Sequence, residues 1–124
     1  MKKDEFLARV QEAGALPSRK DAERRSKAVV SALAQMLPDS ESRRHFVTQL
    51  PGFLKSHLLA ERPRHFKMTG DAFLQHIGRA LEMHAPEAQR TMRTVYGVLR
   101  QAGPGQIADF EKRVPKHIAA LLRR

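Results

Sequence analysis

An internal repeat is the feature of this sequence that most limits its fold. Four residues of the first ten recur in order 67 positions later, where Asp4, Phe6, Leu7 and Val10 correspond to Asp71, Phe73, Leu74 and Ile77. The offset becomes 66 for Ala22, Val29, Leu33 and Pro38, and 64 for Phe46, Leu50, Pro51, Leu54 and Leu58. Insertions and deletions in the loops between fixed helices would produce these changes. We therefore predict two related units, residues 1–62 and 63–124.

The apolar residues recur at helical spacing along the whole chain, and no long alternating run of β-branched and aromatic residues interrupts them. This pattern predicts an all-α fold with four helices in each unit. A unit of about 60 residues buries only a marginal core by itself. We expect the tandem repeat to form one compact helical body and one structural domain.

Residues with strong capping or breaking preferences predict the helix boundaries. Asp4 is expected to cap the first helix, which ends at residues 14–17 because Gly14 permits left-handed torsions. Ser18 with Asp21 resembles a capping box and opens a second helix, which Pro38 ends.

The later boundaries follow the same logic. Asp39 or Ser40 is expected to cap a third helix, and Pro51 suits the first residue of a fourth. Residues 61–68 are charged and contain a proline, which predicts a linker before a new start at residues 69–71.

Several of these segments also resemble a known family. They are DEFLARV at residues 4–10, the alanine-rich second helix, QLP at residues 49–51 and DAFL at residues 71–74. Together they are similar to a bacterial family known only as domain of unknown function 2267, over nearly the whole chain. The resemblance implies an all-helical tandem fold, no established activity and no catalytic residues. The sequence departs from the family pattern at residues 113–115, where RVP stands in place of QLP, and in its basic balance.

The charge balance constrains the environment and the partners of the chain. Lys and Arg number 23 against 13 Asp and Glu, for a net charge of +10, and both units share the excess. The chain has no cysteine, which excludes disulfides and thiolate metal sites and fits a reducing compartment. Apolar runs are too short for a membrane span or a signal peptide. We expect a cytoplasmic protein without a membrane span.

Neither a metal site nor an active site is predicted. The six histidines lie at least eight residues apart, which is unlike the close pairs of zinc sites. Most carboxylates fall at predicted helix starts, where they complement the helix dipole. Asp109 and Glu111 fit surface partners of Lys112 and Arg113. No Ser/His/Asp order with a nucleophile turn is present. The expectation is a non-enzyme without a cofactor.

The basic residues partly obey the repeat. Arg24 and Lys27 correspond to Arg90 and Arg93 at the offset of 66, and each pair is expected to point outward from its helix. A two-fold arrangement of the units would allow Arg43, Lys112 and Arg113 to extend the same positive surface. These seven residues are the candidate nucleic-acid-binding site, although basic residues on solvent faces also serve solubility.

Two functions follow from this pattern. The first is a non-catalytic helical interaction module for a protein partner that the sequence does not identify. The second is sequence-independent binding of double-stranded DNA or another polyanion, because no helix-turn-helix, zinc-finger or ribonucleoprotein motif is present. The second function requires the seven basic residues to share one continuous surface, whereas the first does not.

Overall fold

The computed structural model describes residues 1–102 and 104–123, with the side chains of residues 104–106 and 108 left aside. Within these ranges the chain forms eight helices and no strand, which confirms the all-α prediction. They are α1 (Lys3–Ala13), α2 (Arg19–Gln35), α3 (Ser40–Thr48), α4 (Gly52–Ala60), α5 (Gly70–Leu81), α6 (Ala85–Ala102), α7 (Pro104–Arg113) and α8 (Lys116–Leu122). No helix in these ranges is long and apolar enough to cross a membrane.

Three helices begin at the side-chain caps that the sequence predicts. Each cap accepts a hydrogen bond from the backbone amide three residues later: Ser18 from Asp21 at 3.0 Å, Asp39 from Ser42 at 2.7 Å and Thr69 from Ala72 at 3.1 Å. These bonds satisfy amides that have no partner inside the helix. They fix the starts of α2, α3 and α5.

Two predicted helix starts are displaced. Lys2 is the N-cap of α1, so Asp4 lies inside the first turn, where its carboxylate still faces the positive end of the helix dipole. Pro51 is the N-cap of α4 and not its first helical residue, with φ −53° and ψ 148°. Its ring fixes φ, but its ψ is extended, so the helix begins one residue later.

The end of α1 contradicts the role predicted for Gly14. Gly14 keeps right-handed torsions (φ −93°), and the left-handed residue is Ala15, with φ 50°. The amide of Leu16 donates to the carbonyl of Gln11 at 2.9 Å, and that of Ala15 donates to Glu12 at 3.2 Å. These two bonds form a Schellman motif, which requires its left-handed residue at the position of Ala15.

α5, like α1, is followed by a residue with left-handed torsions. Glu82 is left-handed with φ 58°, and the amide of Met83 donates to the carbonyl of Gly78 at 2.9 Å. Ala15 and Glu82 are 67 residues apart, which is the offset of the first repeat block. The N-caps Pro51 and Pro115, 64 residues apart, also share their torsions. These matches support the tandem repeat, which stays a prediction.

Ala15→Gly is expected to stabilise the fold by about 0.5–1 kcal/mol. A left-handed alanine is strained by its Cβ, and glycine removes this strain at the cost of a more flexible unfolded chain. Urea denaturation of the two proteins measures the difference. A lower stability of the variant would show that Ala15 is not strained.

The helices of the two predicted units share one core. α2 packs against both α5 and α6, α1 packs against α6, and α3 packs against α7. The rings of Phe46 and Phe110, a pair matched by the repeat, lie 4.7 Å apart between their centroids. Buried apolar side chains of both units belong to a single cluster. The compact helical body is confirmed, whereas the division at residues 62 and 63 stays a prediction.

The segment between α4 and α5 crosses the surface without helical structure and is held at two points. The amide of Phe66 donates to the carbonyl of Gln35, at the end of α2, at 2.9 Å. The Nε2 atom of His117, on α8, donates to the carbonyl of Met68 at 2.7 Å. These bonds place the segment beside the junction of α7 and α8.

Candidate interaction site

An open groove of about 460 Å³ lies between the α4–α5 segment and the α7–α8 junction. We call it the cationic groove, and its lining consists of Met36, Pro38, His65, Phe66, Lys67, Met68, Arg113, Val114, Pro115 and His117. Its apolar members form the floor, in which Met36 and Val114 are buried, whereas Phe66 and Met68 are half-buried and form the part reachable from solvent. The hydrogen bond between His117 and Met68 joins the two walls. The floor is thus apolar and reachable from solvent.

The charges of the two walls have one sign. The groove lining contains no aspartate or glutamate, and its two cations are Lys67 and Arg113. The rest of the two segments that form the walls, residues 62–68 and 112–117, adds Arg62, Arg64, Lys112 and Lys116 beside the lining and no carboxylate. Arg113 is the member with an ion pair: its Nε donates to Asp109 at 2.8 Å, and its NH1 donates to Ser42 at 3.1 Å. The other five are exposed, and no ion pair among the described residues involves them. The two segments therefore carry unneutralised positive charge, and one of these cations, Lys67, lines the groove itself.

Arg24 and Lys27, two of the seven predicted residues, lie on α2 beside carboxylates. Arg24 donates to Asp21 at 3.1 Å, and Lys27 pairs with Glu23 at 2.7 Å. The hydrogen bond from Lys27 lowers the pKa of Glu23, against the opposing effect of burial. Asp21 and Glu23 therefore partly neutralise the charges of Arg24 and Lys27.

Arg90 and Arg93 lie on α6 in different surroundings. Arg93 is half-buried and donates from Nε to the carbonyl of Leu121 at 3.2 Å, at the end of α8. Arg90 is exposed and lines a separate cleft of about 330 Å³ between the end of α1, α2 and α6. Arg25 and Glu87 line the same cleft.

Arg25 joins α2 to α6, although the sequence analysis did not single it out. Its Nε donates to Asp21 at 3.0 Å, and its NH1 donates to the hydroxyl of Thr91 at 2.9 Å. Arg25 and Thr91 are matched by the 66-residue offset, which placed them at corresponding positions of the two helices. This correspondence in the sequence could have predicted the hydrogen bond between Arg25 and Thr91.

Arg43, Lys112 and Arg113 lie beside the packed pair α3 and α7. Arg43 donates from NH2 to the carbonyl of Leu58 at 2.9 Å, at the end of α4. Lys112 is exposed next to Arg113. Among the described contacts and clefts, none joins this group to Arg24 or Arg90. One continuous surface through all seven residues stays a prediction.

Comparison with known families gives one match. The sequence model of a family described as an uncharacterized conserved protein, DUF2267, matches residues 3–121. The chain belongs to the DUF2267 family. The resemblance noted in the sequence is therefore confirmed. No curated protein matches the sequence.

This DUF2267 protein contains one Ser/His/Glu cluster that the sequence analysis missed. The hydroxyl of Ser31 donates to Glu61 at 2.6 Å and lies 2.9 Å from Nε2 of His57. Because that hydroxyl proton is directed at Glu61, the histidine nitrogen donates to the serine and does not accept its proton. Glu61 also approaches Nε2 at 3.5 Å, whereas in a catalytic triad the acid lies at the other ring nitrogen. The cluster instead links α2 to the end of α4.

Glu111 of this DUF2267 chain is not the surface partner of Lys112 that the sequence suggested. Its carboxylate accepts a hydrogen bond from the hydroxyl of buried Tyr96 at 2.7 Å and another from Arg123 at 2.8 Å. Burial acts to raise the pKa of Glu111, but these two donors outweigh it and lower the pKa. Burial also raises the pKa of Tyr96, together with the bond to Glu111.

The histidines and carboxylates of the chain do not assemble into a cation site where the structure describes them. In residues 1–102 and 104–123, no three such side chains lie close enough together to hold a metal ion. His76 donates to Gln35 at 2.7 Å and lies edge-on to Phe66. Burial, with a smaller effect of Arg79, lowers the pKa of His76.

Proposed function

We propose that this DUF2267 protein is a non-catalytic interaction module that binds a protein partner in the cationic groove. The observation that carries the proposal is the apolar floor of the groove, which is reachable from solvent between two walls joined by a hydrogen bond. Most small apolar surfaces need no explanation, but a preformed apolar depression with a polar rim is typical of binding sites. A preformed groove also loses little conformational freedom on binding.

The polar clusters of the protein support binding in preference to catalysis. The hydroxyl of Ser31 is committed to Glu61, and the hydroxyl of Tyr96 is committed to Glu111. A nucleophile or general acid needs a partner that can move its proton during a reaction. These groups instead bond to each other across helices and act as structural links.

Selection of peptides from a random displayed library tests the proposed function. The wild-type protein is expected to enrich peptides that perturb the amide resonances of residues 65–68, 113–114 and 116–117 in an NMR titration. Phe66→Ala should weaken these peptides about tenfold, because it removes part of the floor. Leu59→Ala is the matched control, since Leu59 is 68% exposed and lies outside the groove lining.

Two outcomes would contradict the interaction module. One is a selection without enriched peptides, and the other is a set of peptides whose resonance changes lie away from the groove. Melting curves of both variants show whether each is folded. Because the NMR mapping uses the wild-type protein, it decides the matter even if Phe66→Ala fails to fold.

Sequence-independent binding of duplex DNA is the second candidate function. It is supported by the net charge of +10 and by Arg90, which is exposed in a cleft that Arg25 also lines. It is weakened by the carboxylate partners of Arg24, Lys27 and Arg113. The bonds of these three residues reduce the charge that is available to phosphates.

Fluorescence anisotropy with a duplex of arbitrary sequence tests the second candidate. Binding to phosphates should weaken with salt, with a log–log slope of about −0.9 for each neutralised phosphate. Arg24→Ala with Arg90→Ala should make the slope shallower by about two, whereas Lys2→Ala with Lys55→Ala should leave it unchanged. No binding at low salt would exclude this function.

A further inference from the structure

We infer that the cationic groove takes an acidic peptide segment that carries at least one bulky apolar side chain. The inference rests on the proposed function and specifies the partner. It joins two independent observations, the single charge sign of the walls and the apolar character of the floor. A peptide is the class of ligand that combines both properties in a short length.

The charge of the walls indicates an acidic partner. Lys67 lines the groove, and it and the four cations beside the lining have no ion pair among the described residues, so a bound carboxylate would not have to displace an existing partner. The carboxylates near the groove are already occupied. Asp109 pairs with Arg113 and lies 3.1 Å from Nε2 of His45. Asp39, in the cleft next to the groove, caps α3, and its bonds to Ser42 lower its pKa.

The floor favours a peptide over a nucleic acid. A phosphate backbone would contact the cations but would leave the half-buried Phe66 and Met68 without an apolar partner. The rings of Phe66 and His76 already pack in a T-shaped arrangement, with 5.9 Å between their centroids, and Phe66 is half-buried. It therefore offers a poor platform for stacked bases, which usually lie on exposed aromatic faces. Methionine side chains are flexible and adapt to different apolar groups.

The dimensions of the groove agree with this partner. Its volume of about 460 Å³ lies in the ordinary range for binding pockets, roughly 300–1,000 Å³. Residues of both segments line the groove, so an extended or helical peptide could place acidic residues near both segments around one apolar anchor. Such an arrangement resembles an interface with an apolar centre and a charged rim.

Three labelled synthetic peptides of equal length test the inference by anisotropy. The first alternates Glu and Asp with Leu and Phe, the second replaces its acids by Gln and Asn, and the third replaces its apolar residues by Ser. The first should bind most tightly, and each of the other two should bind about tenfold or more weakly. Its affinity should also decrease with salt.

Charge reversals on the protein locate the contact. Lys67→Glu, in the groove lining, should weaken the acidic peptide about tenfold, because like charges would then face each other across the interface. Lys116→Glu, beside the lining, should weaken it less. Lys2→Glu is the matched control, since Lys2 is exposed at the start of α1 and is not part of the groove lining, and it should leave the affinity unchanged. All three lysines are exposed, so the variants should melt at the wild-type temperature.

The possible results separate this inference from the proposed function. Equal binding of the acidic and neutral peptides, with resonance changes in the groove, would overturn the acidic partner and leave the interaction module intact. Equal binding of the acidic peptide and its serine variant would overturn the apolar anchor. A duplex DNA that displaces the acidic peptide and perturbs the same wall residues more strongly would overturn a peptide partner altogether. No binding of any peptide, together with a failed library selection, would overturn both proposals.

Discussion

Gly78→Ala is expected to destabilise the protein by about 2–4 kcal/mol, which is a large effect for a single methyl group. A Cβ at Gly78 would lie far inside van der Waals contact with the carbonyl oxygen of Met83. That oxygen belongs to the backbone, which cannot rotate away as the end of a side chain can. The backbone is also fixed there by the left-handed torsions of Glu82 and by the bond from the Met83 amide to Gly78. The end of α5 must therefore shift.

Gly97→Ala is the matched control for this prediction. Gly97 lies inside α6, and a Cβ at this position would meet no atom within 4 Å. Alanine is favoured over glycine in a helix by about 1 kcal/mol, so this variant should be more stable than the wild type. Urea denaturation at neutral pH measures both changes. A Gly78→Ala variant as stable as Gly97→Ala would contradict the close approach of Met83.

Tyr96→Phe is expected to cost about 1.5–3 kcal/mol at pH 7. Tyr96 is 1% exposed, and its hydroxyl donates to the carboxylate of Glu111, whose side chain is 12% exposed. The substitution keeps the ring but removes a charge-assisted hydrogen bond from a poorly hydrated carboxylate. Glu111→Gln should cost less, because the neutral amide still accepts from Tyr96 and needs less solvation. A larger cost for Glu111→Gln would contradict this reasoning.

The same pair predicts a pH dependence with a defined sign. Burial acts to raise the pKa of Glu111, but the bonds from Tyr96 and Arg123 lower it below its ordinary value of 4.5. A carboxylate with a lower pKa in the folded state stabilises the fold above its unfolded pKa and loses that contribution as the pH falls through the folded pKa. Tyr96→Phe removes one cause of the lowering. The stability difference between wild type and Tyr96→Phe should therefore shrink below pH 4.5, and a constant difference would contradict the assignment.

Local signals predicted most of the helix starts but not all of the ends. The caps Ser18, Asp39 and Thr69 act on amides three residues away, so the sequence alone contains both partners. The left-handed position after α1 depends on where the last helical bonds fall. Ala15 occupies the left-handed position because the amide of Leu16 donates to the carbonyl of Gln11. The glycine at position 14 therefore did not indicate which residue would be left-handed.

The partners of the basic residues were partly predictable. Asp21 and Glu23 stand three or four residues before Arg24, Arg25 and Lys27, a spacing that favours ion pairs on a helix. Both carboxylates were assigned to the helix start alone. Because Asp21 and Glu23 also form these ion pairs, α2 presents less free positive charge than the sequence predicted.

The cationic groove could not be predicted from the sequence. Its walls are about fifty residues apart along the chain, and the bond between His117 and Met68 that joins them depends on the packing of the whole protein. The available signal was the charge pattern, because residues 62–68 and 112–117 both carry three cations and no carboxylate. Such runs also occur on ordinary solvated surfaces, and only their position beside one apolar floor distinguishes them.

The shared core has a consequence for the synthesis of the protein. α1 packs against α6, and α2 packs against both α5 and α6, so the apolar side chains that they turn toward those helices have no cover until α5 and α6 have been synthesised. Chains normally fold domain by domain from the N-terminus during translation. Here the final packing of α1 must wait until α6 has emerged, some 90 residues later. Until then α1 can pack against α2, and Phe6 against the ring of Phe53, but the side of α1 that faces α6 stays accessible to chaperones.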